Sequence, residues 1–424
     1  MKFSHKYKSL ALLMYDLSEY LIVISLILEC RSVYNHLVGK AWISYAIVIM
    51  LAAGVLGALI SQKIIYFNKS RAIAFVTIAI YLLLYIFFNS YHWSSYLRCL
   101  LCLVIIFIYY LFCYRDGIPS ILYKYENVIL LISVISLFFW VFGILLGIIK
   151  PSGIIHTTWS GSSESAVFPS YFNIYFKSQR DAEPFLRNSA IFTESPMFSF
   201  HVSLALLFEV LLSEKFSLRK EIILIVTILS THSTTGLSIV LALVVYQIMR
   251  NKKKNVWMVL IYLAFLISLP FIASIPFYLF NAKMTTMSGS LRVDDFRVGF
   301  LAWSKHKVFG GGFENEQYLQ SFMANWRIIN IGFSNSIMYI LALTGIYVSI
   351  VYFGAVIKGV VTSIINKDFQ MLLFSALFFY QFAITVTPNN YLIFFVLTFI
   401  AINKKANLPS NEYRYYYSDV GEAI

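Results

Sequence analysis

The chain has 424 residues, of which 59% are hydrophobic and only 12% charged, and its mean hydropathy is +0.75. Soluble domains carry about 25% charged residues, so the composition excludes a soluble globular protein and points to an integral membrane protein. The formal charge of +13 is explained by topology, and no basic cluster on a soluble face suggests a nucleic-acid partner.

In lipid every backbone polar group must be satisfied within the protein, which leaves helix bundles and closed barrels. The apolar runs here are continuous rather than alternating, so an all-α bundle is expected. Spans of roughly 20 residues fall at about 10–33, 41–60, 72–89, 96–114, 127–149, 197–213, 221–232, 236–250, 256–280, 335–357, 369–386 and 389–402. These make about twelve transmembrane helices. The start is basic, but Asp16 and Glu19 and the lack of a small-residue cleavage site argue against a removable signal peptide. The chain then divides into an N-terminal bundle (1–149), a first long polar loop (150–196), central helices (197–280), a second long loop (281–334), C-terminal helices (335–402) and a polar, tyrosine-rich tail (403–424).

Basic residues mark the sidedness. Alternate connections hold Lys63, Lys69 and Arg71, then Arg115 and Lys124, then Lys215, Arg219 and Lys220, then Arg250 and Lys252–Lys254, then Lys358 and Lys367. The short connections on the other side hold only Arg31, Lys40 and Arg98. The positive-inside rule therefore places both termini in the cytoplasm and both long loops outside. The four cysteines, including the Cys99–Cys102 pair, lie in or beside apolar spans and read as small buried hydrophobes.

Residues 221–250 have basic clusters at both ends, so a single crossing helix would put one cluster outside. A hairpin turning at Thr231-His232-Ser233-Thr234-Thr235-Gly236 keeps both inside, but each arm is short for a crossing. Such a turn lies below the membrane surface, where irregular backbone needs protein or a watery cavity around it. A tight turn at the surface is the alternative.

The first loop ends Arg187-Asn188-Ser189-Ala190-Ile191-Phe192-Thr193-Glu194-Ser195-Pro196. Ser195 is suited to cap a helix and Pro196 to open it. Glu194 is then a candidate general base at a positive helix end, with a simple cap or a partner for Arg187 as its plainer roles. His201, two turns on, faces either the same cavity or the core. Upstream, Arg180 is a candidate substrate contact among tyrosines and carboxylates that suit a sugar or a headgroup layer equally. In the second loop Val293, Phe296, Phe300 and Trp303 recur at helical spacing and predict an amphipathic helix, closed by Gly310-Gly311-Gly312. Arg292 and Arg297 lie on different sides of it. One suits a pyrophosphate and the other a salt bridge with Asp294 or Asp295. An interfacial helix with paired charges is the plainer reading.

In their order and spacing these pieces resemble the bacterial O-antigen polymerase and O-antigen ligase superfamily. They are Arg187 before Phe192-Thr193-Glu194-Ser195-Pro196, the polar break Ser230–Gly236, and Arg292 through Trp303 to Val308-Phe309-Gly310-Gly311-Gly312. The break lacks the arginine the family often carries there, so His232 or Thr234 would take its contact. The stretch 313–335 lacks the histidine common in ligases, which favours a polymerase of O-antigen, capsule or exopolysaccharide. The resemblance implies transfer of a glycan from undecaprenyl pyrophosphate to the terminal sugar of another lipid-linked repeat unit. It implies catalysis by Glu194, Arg187 and Arg292, substrate contacts from Arg180, Arg297, His232, Thr234 and His201, and neither a metal nor another cofactor. The implied partners are the lipid-linked oligosaccharide, the bilayer of the bacterial cytoplasmic membrane, and a chain-length regulator and flippase of the same pathway. A ligase, a flippase or other transporter, and a non-enzymatic assembly partner are the competing classes.

Overall fold

The computed structural model describes residues 2–62, 67–89, 91–114, 117–158, 166–178, 186–213, 216–250, 287–327, 332–385 and 388–403. The expected span at 256–280, Arg180 and the tail beyond residue 403 lie outside them. Seven helices are long and apolar enough to cross a membrane: Leu10–Glu29, Trp42–Ser61, Lys69–Phe87, Trp93–Phe112, Ser120–Leu145, Ser195–Leu212 and Ser336–Ile365. Thr234–Arg250, Phe369–Ile384 and Tyr391–Ile402 are apolar but shorter. The protein is thus a helical, membrane-embedded bundle.

The helices in chain order are α1 (Lys2–Glu29), α2 (Trp42–Ser61), α3 (Lys69–Leu84), α4 (Trp93–Phe112), α5 (Ser120–Phe139), α6 (Ser195–Leu207), α7 (Leu218–Ser230), α8 (Thr234–Arg250), α9 (Met287–Lys305), α10 (Glu316–Gln320), α11 (Ser336–Ile365), α12 (Phe369–Ile384) and α13 (Tyr391–Ile402). Side chains set several starts: the amides of Arg71, Met338 and Met371 donate to Asn68, Asn335 and Asp368 at 3.0–3.1 Å. Pro196 opens α6, where no amide hydrogen is needed. The span Ser195–Leu212 is 94% buried, which makes α6 the central helix, and α5, α7, α8 and α12 pack around it.

The described parts of both long loops gather at one end of the bundle, called the loop end below. At the opposite end Lys124 pairs with Glu19 (2.5 Å) and Asp16 (2.6 Å), and Tyr109 donates to the same Glu19 (2.6 Å), locking α1, α4 and α5 together. All four cysteines are buried and free.

The all-α expectation needs one amendment. The first loop holds a three-stranded antiparallel sheet, β1 (Gly153–Thr157), β2 (Ala166–Tyr171) and β3 (Tyr175–Phe176), in the order β1-β2-β3. Gly153 faces Ser170, and Tyr171 faces Tyr175. Tyr171 and Tyr175 pack on Phe139 at the end of α5, and Leu37 bridges to Thr157, so the sheet lies over the loop end.

The expected hairpin is present. α7 and α8 reverse at Thr231–Ser233, and their 13 and 17 residues extend only about 20 and 26 Å at about 1.5 Å per residue. Helix α11 is broken at Gly345 (φ +65°, ψ −170°).

Candidate functional site

Residues 31–33, just past α1, run antiparallel to residues 191–193. The amide of Val33 donates to Ile191 O (2.9 Å) and that of Thr193 to Arg31 O (3.1 Å), with Ser32 and Phe192 bridged between them. This pairing sets Arg31 beside Glu194, with Nη1 3.6 Å from Oε1. Glu194 precedes the first turn of α6 in extended conformation. Its carbonyl accepts from Met197 and Phe198, while its side chain makes no capping bond and turns to Arg31. The cap expected of Ser195 is therefore a backbone one, from Glu194. Burial lowers the proton affinity of Arg31, and Glu194, Tyr339 and Glu316 are close enough to oppose that shift. His36, five residues on in the same strap, is pushed down to about 4 by burial and then by Arg31.

The other end of the segment 186–194 docks on the hairpin tip. Arg187 Nε donates to Thr231 O (3.0 Å), and the Asn188 side-chain Nδ2 donates to Ser230 Oγ and Ser136 Oγ (both 3.1 Å). His232 is exposed at the turn with φ +50°. Thr234 opens α8 one step on.

The second loop is built on a buried ion network. Arg327, 2% exposed, contacts Asp295 Oδ1 (2.6 Å) and Asp294 Oδ2 (3.2 Å). Arg297 pairs with Asp294 (2.9 Å), and the Ser334 amide donates to Asp295 Oδ2 (2.8 Å). Helix α9 forms as its periodicity predicts, but Val293, Phe296 and Phe300 are exposed. Its buried face carries Asp294, Asp295, Val298 and Ala302. The network overrides the apolar stripe because buried carboxylates need a cation. Arg292 is half-buried, with no partner among the described residues.

Beyond α9 the glycines enter the break in α11. Gly311 N donates to Ala342 O (2.8 Å) and Gly312 N to Leu343 O (2.9 Å), while Ile346 N and Tyr347 N donate back to Lys307 O and Val308 O (both 2.9 Å). The open backbone groups of a broken membrane helix are thus closed by a loop rather than by solvent. Tyr85 donates to Phe309 O (2.7 Å) and holds the clamp against α3.

A cavity of about 590 Å³, within the usual range for ligand sites, runs between α3, α4, α11 and α13. Its walls are mostly apolar. Glu314, Tyr339 and Asn389 lie at its loop end, and Arg71, Lys358 and Asn403 at the opposite end.

The expected site residues thus fall into three groups. Glu194, Arg187, His232 and Thr234 converge on the segment 186–194 and the hairpin tip. Arg292 and Arg297 stand on α9, with Arg297 held by Asp294. His201 departs from the expected cavity position. It is fully buried, its Nδ1 accepts from Tyr125 (2.8 Å), its Nε2 donates to Cys30 O (3.3 Å), and its ring stacks on Phe192. Arg31, Arg327 and Glu314 are the residues the sequence reading missed as site members. Arg31 had one legible signal, as one of only three cations in the short connections on its side. Among the described residues no group of three or more His, Cys, Asp or Glu is arranged to hold a metal ion. No protein-family model and no curated protein sequence matches the chain.

Proposed function

We propose that the protein is a polymerase of lipid-linked oligosaccharide repeat units in a bacterial cytoplasmic membrane, with about twelve spans, both termini in the cytoplasm and the loop end outside. The glycan leaves undecaprenyl pyrophosphate and joins the terminal sugar of a second lipid-linked unit. The observation that carries this reading is the convergence at one end. The segment 186–194 joins the Arg31–Glu194 pair to the Arg187–Thr231 contact at the hairpin tip, and the lining of an apolar cleft reaches the same end at Glu314, Tyr339 and Asn389.

A polyprenyl tail needs apolar walls, and a pyrophosphate leaving group needs cations where its charge develops. The cleft offers the first; Arg31, Arg187 and Arg292 offer the second. The chemistry asked of the chain is then positioning, charge stabilisation and removal of one proton, for which Glu194 is the sequence's candidate.

A flippase is the main rival, and a broken helix is common among transporters. Here the break at Gly345 is filled by the glycine loop and offers no open backbone to a passing ligand.

A glycan ladder from a deletion strain complemented with wild type, Arg31→Ala, Arg187→Ala and Glu194→Ala tests the reading. Single repeat units on the final carrier, restored to long chains only by wild type, support it. Full-length polymer stranded on the lipid identifies a ligase, and units held on the cytoplasmic leaflet identify a flippase. Either result overturns the proposal.

A further inference from the structure

The polymerase reading leaves open which carboxylate takes the proton of the acceptor hydroxyl. Glu194 is 39% exposed and its Oε1 faces Arg31. Glu314 stands differently. Among the described residues it is the one carboxylate lining the apolar cleft, and it sits at the cleft's loop end beside Tyr339 and Asn389.

Its backbone is held in an unusual state. Glu314 has φ +53°, the left-handed region that side chains other than glycine seldom adopt. Both flanks fix it there. The Phe313 amide donates to Asn89 Oδ1 (3.0 Å), and the Asn315 side chain donates to Gly311 O (2.8 Å). The Glu316 amide turns back to Glu314 O (2.9 Å). Immediately upstream is the glycine clamp in the broken helix, so the position of Glu314 is tied to the stretch of the second loop bonded into α11. Strain of this kind persists only where the surroundings impose it, and an observed outlier is a fair pointer to function.

The side chain is arranged for proton transfer. Asn389 donates to Oε1 at 3.2 Å, and Oε2 has no hydrogen bond among the described residues. Burial raises the proton affinity of the carboxyl, while Asn389, Arg98 and His92 restrain the rise and Glu316 adds to it. A base that must hold a proton briefly works best with a raised affinity.

We propose that Glu314 is the catalytic base of the transfer, resting on the polymerase reading above, and that Glu194 acts as a positioning residue through Arg31. The acceptor hydroxyl oxygen forms the new bond to the anomeric carbon of the donor glycan. The bond from that carbon to the pyrophosphate oxygen breaks, and its electron pair leaves with the polyprenyl pyrophosphate. The hydroxyl proton passes to Glu314 Oε2 and then to water.

The test uses the purified full chain with short lipid-linked repeat units and reads ladder length against time. Loss of a general base costs about 10²–10⁴-fold in rate. Glu314→Gln is expected to lose at least about 100-fold in kcat while the donor KM stays near wild type. Glu194→Gln is expected to keep a measurable rate. The acid limb of the wild-type pH–rate profile should disappear in Glu314→Gln. That limb is set by Glu314 among Arg98, His92, Glu29, Glu316 and Tyr339, and a purely structural role would not remove it. Melting in detergent checks folding; if the Gln variant does not fold, Glu314→Asp decides, and a rate equal to wild type overturns the assignment. A Glu314→Gln rate near wild type beside an inactive Glu194→Gln also overturns it and leaves the polymerase reading standing. Wild-type protein that makes no longer glycan overturns both.

Discussion

Gly345→Ala is the most informative single substitution. At Gly345 φ is +65°, and an added Cβ would stand 2.6 Å from Gly310 N and closer still to the carbonyl of Val308. All of these are backbone atoms, so no rotamer change relieves the contact. An L residue held at positive φ costs about 1–2 kcal/mol. Moving the loop away endangers four backbone hydrogen bonds between residues 307–312 and α11, each worth about 1 kcal/mol. The expected loss is therefore about 3–6 kcal/mol, read as a clear fall in the melting temperature of the detergent-solubilised protein and as loss of glycan lengthening. Gly354, nine residues along the same helix, has nothing within 4 Å of the corresponding Cβ and no positive φ. Gly354→Ala should be neutral or stabilising by up to about 1 kcal/mol. A Gly345→Ala protein that melts no lower than wild type would refute the clamp, and with it the argument that a loop closes the broken helix.

Arg327→Ala leaves Asp295 buried without a cation and Asp294 with Arg297 alone, which should cost about 3–5 kcal/mol; limited proteolysis of the second loop is the measure, and Arg327→Lys should rescue only in part because the guanidinium fork is lost. Arg31→Ala removes a long, partly exposed ion pair worth about 0–1 kcal/mol, so its melting temperature should stay near wild type while the ladder collapses to short products. His36 is depressed to about 4 in the folded chain from about 6.5 when free, so folding favours its neutral form. That stabilisation is complete above about pH 6.5 and is lost as pH falls toward 4, amounting to roughly 2–3 kcal/mol. Melting curves between those pH values should show the slope, and His36→Gln should flatten it.

The seven long apolar helices were legible because each is a continuous apolar run, and the hairpin at Thr231–Ser233 because a single helix would have parted its two basic clusters. The break in α11 was not. Leu343-Thr344-Gly345-Ile346 reads as the interior of one apolar helix, and the bonds that open it come from residues 307–312. The small sheet escaped a reading that treated the first loop as polar connection, although Val167 and Phe168 mark its middle strand. Helix α9 was found from its period, but its orientation was inverted by Arg327, which lies 32 residues from Asp295. Arg31 was visible only as a stray cation, since its pairing with Glu194 depends on the antiparallel run of 31–33 against 191–193. Apart from that local sheet, what the sequence hid was a long-range polar contact, which hydropathy does not encode.

The placement of strained backbone separates the two ends of the bundle. Among the described residues Arg31, His92, Ala190, His232 and Glu314 take left-handed φ without being glycine, and all stand at the loop end. The others are Phe172 and Asn173 in the turn of the sheet and Lys367 at the opposite end. Each such residue costs on the order of 1–3 kcal/mol. Tight turns alone do not explain the choice, because the same end uses glycine for other left-handed positions, at Gly39, Gly147, Gly310 and Gly312. Where glycine would have been the easier residue, four of these five positions carry an ionisable side chain, and Arg31 and Glu314 face the groups proposed to carry out the transfer. If the transfer proposed above is right, stability is given up at positions where a particular side chain, and not merely a turn, serves it.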